Sequence, residues 1–117
     1  MLYYQSREKA HMSQKRIQQI EFRLQQIKRA LLEIGPMRPG SLTRQYKDPP
    51  RRVGAYWQIS YTRRMKSRTE YVRKEWVKEL RRQIATHKRF KRLIDQWLDL
   101  SIEHSQLTMQ TTKTKSG

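Results

Sequence analysis

The chain of 117 residues contains no cysteine. Disulfides and thiolate zinc sites are thereby excluded. Acidic residues are scarce: 10 Asp and Glu stand against 27 Lys and Arg, for a formal net charge of +17. Self-repulsion on that scale is relieved by an anionic partner, which puts nucleic acid first and an acidic membrane surface second. Apolar residues make up 35% of the chain. They nowhere form a run near the ~20 residues of a membrane span. Residues 1–10 lack the apolar core of a secretory signal. Together these shortages predict one soluble, cytoplasmic domain over 1–117, with no membrane association, a thin core and no enclosed active-site cavity.

Glycine and proline are also few, and they are clustered. All four prolines and three of the four glycines fall between residues 35 and 72. Helical periodicity is missing there and present on both sides. Ahead of it, Ile17, Ile20, Leu24, Ile27, Leu31 and Ile34 alternate spacings of three and four, the seam of a coiled-coil-like helix. We place that helix at 13–35. Ser13 is a candidate N-cap, with Ser6 and Ala10 leaving earlier starts open. Gly35 offers a left-handed cap and Pro36 a stop. Phe22 and Leu32 lie off the seam, where they either widen the apolar face or meet the sheet. Residues 1–12 show no clear pattern and either fray or extend the first helix. Tyr3 and Tyr4 read as mobile terminal tyrosines, with stacking on a partner as the alternative.

Residues 36–72 predict a small three-stranded β-meander. Arg38-Pro39-Gly40-Ser41 has the order of a type II turn. Strands are expected at 42–46, 55–62 and 67–72, with a loop at 47–54 and a hairpin connection at 63–66 that lacks Asn-Gly or Asp-Gly. Alternation puts Trp57, Ile59 and Tyr61 on one face and Tyr56, Gln58 and Ser60 on the other. A second helix is expected at 73–105, since Trp76, Val77, Leu80, Ile84, His87, Phe90, Ile94, Trp97 and Leu98 form an apolar stripe. The polar segment 106–117 reads as a disordered tail. The fold class is α+β: two long antiparallel, coiled-coil-like helices flanking a small antiparallel three-stranded sheet.

Residues 36–92 hold 18 Lys and Arg against 4 Asp and Glu, so a net of +14 is concentrated there. On the hairpin, Arg63, Arg64, Lys66 and Arg68 interleave with Tyr56, Trp57, Tyr61 and Tyr71, a mixture suited to phosphate pairing and base stacking. Arg44, Arg51 and Arg52 extend that surface. At 100° per residue, Lys74, Lys78, Arg81, Arg82, Lys88, Arg89 and Arg92 share an arc of about 120° on the second helix, opposite Leu80, His87 and Ile94. Glu75 and Glu79 fall outside it. Such a row can follow a phosphate backbone. The plainer reading is a solvated face, and for Trp57, Ile59 and Tyr61 it is core beneath the helices.

Catalytic signals are weak. His11, His87 and His104 have no ligand-like spacing, and His87 sits on the apolar stripe as a packed histidine would. Glu70 and Glu75 have Arg68, Arg73 and Lys74 nearby as simple ion-pair partners. No phosphate-binding glycine loop or nucleophile motif is present. The sequence therefore predicts no enzyme, no metal and no cofactor.

The words RPGSLTRQY at 38–46, YWQISYTRRMKSRTEYV at 56–72 and RRQIATHKRFKRLIDQWLDLSIE at 81–103 resemble a small uncharacterised prokaryotic family. Its members run helix, turn, basic hairpin, long helix. The resemblance covers about two thirds of the chain and implies an association with mobile elements. Some members carry a cysteine-rich insert after the RQY word; here residues 47–53 stand in its place, and no metal role carries over. The leading expectation is a non-enzymatic nucleic-acid-binding protein, DNA favoured over RNA. The rival is a coiled-coil assembly or adaptor protein whose helices join a homo-oligomer or whose basic surface meets an acidic protein. A nuclease or recombinase component comes third.

Overall fold

The computed structural model describes the backbone of residues 2–116 and the side chains of residues 12–111. The order of elements is α1 (Leu2–Leu32), β1 (Ser41–Asp48), β2 (Val53–Arg63), β3 (Lys66–Val72), a one-turn 3₁₀ helix (Lys74–Trp76) and α2 (Val77–Ser116). The protein is thus mixed α+β, with two helices and an antiparallel sheet ordered β1-β2-β3. Two compact units emerge. A helical unit comprises Met1–Glu33 and Arg92–Gly117, and a sheet unit comprises Ile34–Lys91.

In the helical unit, α1 starts at Leu2 rather than at 13, the longer of the two alternatives left open for 1–12, and Ser13 lies inside it. No glycine or proline interrupts residues 2–12, so nothing forces a later start. The side chains of Tyr3, Tyr4 and His11 lie outside the described residues. The helix closes at Leu32, where the Glu33 N–H donates to the Ala30 carbonyl at 3.3 Å. Gly35 does not take the left-handed cap, since only Gly40 and Gly54 among the described glycines have positive φ. Pro36 accounts for this, because a residue before proline is held extended. Ile20 and Ile27 are fully buried, while Phe22 and Leu32 are 68% and 86% exposed. Neither of the latter widens the buried face.

The other element of this unit is α2 from Arg92 onward. Arg16 donates two hydrogen bonds to Glu103, at 2.7 and 2.9 Å, and Arg23 donates to Gln96 at 2.9 Å. Glu21 meets His104 at 3.1 Å, and the Lys28 ammonium lies 5.4 Å from the centre of the Trp97 ring. Low-numbered residues of α1 thus meet high-numbered residues of α2. The expected tail at 106–117 is helical through Ser116. The segment has no breaker before Gly117, and the Thr108 and Thr111 hydroxyls bond carbonyls one turn back, at 2.7 and 2.6 Å. Leu98 is half exposed and leaves the expected stripe.

In the sheet unit, β1 pairs with β2 from Ser41↔Ser60 to Asp48↔Val53, and β2 with β3 from Trp57↔Val72 to Arg63↔Lys66. All three strands are longer than their sequence patterns suggested. Directly opposed residues share a face. One face carries Leu42, Trp57, Ile59 and Val72. It packs on Val77, Leu80 and Ile84 of α2, with Ile59 wholly buried. Gly40 has φ 134°, and a Cβ there would lie 2.9 Å from the Ser60 carbonyl oxygen and 3.0 Å from Ile59 Cγ1. Only glycine fits this approach of the 38–41 turn to β2. The long helix begins at Val77 rather than at 73, because Lys74–Trp76 form the 3₁₀ turn. That turn takes Trp76 off the α-helical period and leaves it more than half exposed.

Candidate nucleic-acid interface

The sheet unit holds 17 Lys and Arg against 4 Asp and Glu. Three of the four acids are already paired within it. Asp48 meets Arg51 at 3.7 Å, and Glu79 meets Arg82 at 3.3 Å. Glu70 accepts a short hydrogen bond from Arg38 and another, at 2.8 Å, from the Tyr61 hydroxyl. The Arg38 hydrogen bond, followed by that of Tyr61, holds the Glu70 carboxyl below its ordinary range. Arg38 also lies over the Tyr61 ring at 5.3 Å and donates its backbone N–H to the Gln83 carbonyl at 3.1 Å. This arginine is a structural fastening between turn, sheet and helix. The remaining cations have no carboxylate within 4 Å among the described residues.

Those cations fall into several groups. At one end of the sheet, β2 and β3 are joined by the two residues Arg64 and Met65, between the pair Arg63↔Lys66. Both have left-handed backbone angles, φ 53° and 65°. Two such residues in succession make the primed turn whose twist matches a hairpin. The connection thus lies where it was expected, at 63–66; neither residue is glycine, so its primed type was not recognisable from composition. Arg63, Arg64 and Lys66 flank Met65, which is 98% exposed. Beside this end, Arg68 joins Lys88, Lys91 and His87 of α2 around an open cleft of about 510 Å³, with Tyr61 and Ile84 in its wall. Lys91 lies outside the 120° arc of α2 and was missed for that reason. The strand face toward the helix, not the helix period alone, gives it its place.

A second depression, of about 410 Å³, brings Arg44 and Lys74 beside Tyr56, Trp57 and Tyr71. The Arg44 guanidinium stacks over Tyr46 at 5.6 Å. Arg51 and Arg52 occupy the β1–β2 turn, closed by the Arg52 N–H donating to the Pro49 carbonyl at 3.2 Å. That turn is at the far end of β2. Eleven strand residues separate it from Arg64, or about 35 Å at the usual rise. The predicted surface is therefore not one patch around the hairpin.

The helical row is likewise broken up. Lys74 precedes α2 on the 3₁₀ turn, so the 100° count does not place it. Arg81 reaches over the Trp57 ring at 5.2 Å, and Arg82 is tied to Glu79. Lys78, Lys88 and Arg89 stay exposed on α2, while Arg92 belongs to the helical unit. The arrangement offers cations for phosphate contact.

A family model, "Domain of unknown function (DUF6788)", matches residues 11–82, well over half of the chain. The chain belongs to this family. Its match takes in the three strands, both turns and the first residues of α2, and stops before Lys88, Lys91 and Arg92. No curated protein and no solved structure matches the chain.

Proposed function

We propose that the sheet unit binds nucleic acid, DNA in preference to RNA, without catalysing a reaction. The reading rests on its unneutralised charge. Of 17 cations on a small folded β-α unit, only Arg38, Arg51 and Arg82 face a carboxylate among the described residues. Arginines at the two turns and lysines along the cleft suit a phosphate backbone, and counterion release drives such binding. A DNA-binding role also fits the association with mobile elements that the sequence resemblance implies.

Fluorescence anisotropy with duplex DNA, single-stranded DNA, structured RNA and polyglutamate at equal moderate salt separates the readings. Submicromolar binding of duplex DNA, with polyglutamate much weaker, is the expected result. Tight binding of polyglutamate alone would instead favour an acidic protein partner.

One observation favours a second reading for the helical unit. Phe22, Leu32, Leu98, Ile102 and Met109 are all more than half exposed. Such residues suit coiled-coil-like assembly with another helix. Sedimentation of the full chain tests it: a concentration-independent monomer removes homo-assembly.

A further inference from the structure

We infer that the face of the sheet turned away from α2 is a base-reading surface for the major groove of duplex DNA, an inference that rests on the nucleic-acid reading above. The first observation is a composition that the rest of the unit does not share. By register and alternation the outer face carries Thr43 and Gln45 on β1, Tyr56, Gln58 and Ser60 on β2, and Thr69 and Tyr71 on β3. It also holds Ser41, Thr62 and Ser67. None of these is charged and none is aliphatic. A solvated sheet face in a unit with 17 cations would ordinarily display some of them. The single charge here, Lys47, stands at the end of the face beside the Arg51–Arg52 turn.

The second observation is that the centre of this face is ordered by its rim and left with free valence. Ser60 and Thr69 hydroxyls pair at 3.1 Å, as do those of Thr62 and Ser67. Gln45 Nε2 leans on Thr43 Oγ1 at 3.4 Å. Gln58 lies between Thr43 and Tyr71 across the strands, and its amide has no partner among the described residues. A glutamine amide matches the N6 and N7 edge of adenine, and Ser or Thr hydroxyls pair with either donors or acceptors.

Dimensions and charge agree. The axes of β1 and β3 lie about 10 Å apart across β2, against a B-form major groove about 12 Å wide. The strand length of about 35 Å approaches one turn of duplex, about 34–36 Å. Arg51 and Arg52 at one end and Arg64 at the other are then placed to meet phosphates while the neutral face meets bases. The deep, narrow major groove of A-form RNA does not admit a sheet, so the partner is DNA.

The test uses the full-length chain. A random-sequence duplex pool is enriched by binding, and the selected site is then remade with 7-deazapurines, which lack the N7 acceptor of the major groove. An enriched site should emerge, and 7-deaza substitution should weaken binding about tenfold or more. Gln58→Ala should relax the base preference and leave the salt dependence of binding unchanged. Since Gln58 is a half-buried strand residue, the 7-deaza comparison on the parent protein decides even if that variant fails to fold. Duplex binding with no enriched site and no 7-deaza effect overturns the inference and leaves the nucleic-acid reading standing. A preference for single-stranded DNA does the same, and a preference for RNA overturns both this inference and the choice of DNA over RNA. Binding of no nucleic acid overturns both the inference and the nucleic-acid reading.

Discussion

Arg64 and Met65 occupy torsions that ordinarily belong to Asn-Gly. Holding an L-residue with a side chain there costs about 1 kcal/mol per position. Replacing the pair by Arg64→Asn with Met65→Gly should raise the thermal midpoint by several degrees, and it should weaken DNA binding through the lost cation. A lowered midpoint in calorimetry would contradict the turn geometry. Glu70 gives a pH dependence of known sign. Its folded carboxyl titrates below the ordinary 4.5, chiefly because of the Arg38 hydrogen bond. The stability it contributes is therefore complete above that ordinary value and is lost as pH falls through the folded value. Urea titrations should show the parent more stable than Glu70→Gln at neutral pH, with the gap closing below the ordinary value. An equal gap at acid and neutral pH would count against the ion pair. Because Glu70 is exposed, the difference should be small.

At the scale of elements, the fully buried Ile20 and Ile27 anchor the helical unit. Ile20→Ala or Ile27→Ala should each cost roughly 2–5 kcal/mol in chemical denaturation, whereas Phe22→Ala and Leu32→Ala should cost little. Equal losses at all four positions would contradict the packing. The three-four spacing of isoleucine and leucine made this helix legible, and β-branched and aromatic residues did the same for the strands. Other features were not legible, for physical reasons. Periodicity names a face but not which residues find a partner on it, so Trp76 and Leu98 were assigned to a stripe they leave. The 3₁₀ turn rotates Trp76 away, and nothing in Lys74-Glu75-Trp76 announces that turn. The polar run after Ser105 lacks a breaker, and low apolar content concealed a helix there. The hairpin connection expected at 63–66 is found there, but its type, with two left-handed residues, carries no signal in Arg-Met.

For the molecule as a whole, the legible feature is charge, and the illegible one is its arrangement. The sequence placed Arg51, Arg52, Arg63 and Arg64 on one basic surface, but strand direction sends the two pairs to opposite ends of β2. Lys91 joined the cleft with Arg68 and Lys88 only once α2 was set against the sheet. The account requires both ends to contribute to binding. Arg51→Ala with Arg52→Ala and, separately, Arg63→Ala with Arg64→Ala should each weaken duplex binding without moving the thermal midpoint appreciably. An effect confined to one end would reduce the interface to that turn. The most direct measurement of the central claim is duplex DNA affinity as a function of salt. If about six phosphates are neutralised, log K should fall against log salt with a slope near −5. Replacing Arg63, Arg64, Lys66 and Arg68 by alanine should flatten that slope while the circular dichroism of the fold persists. A parent slope near zero, or an unchanged slope in the folded four-alanine protein, would contradict the account.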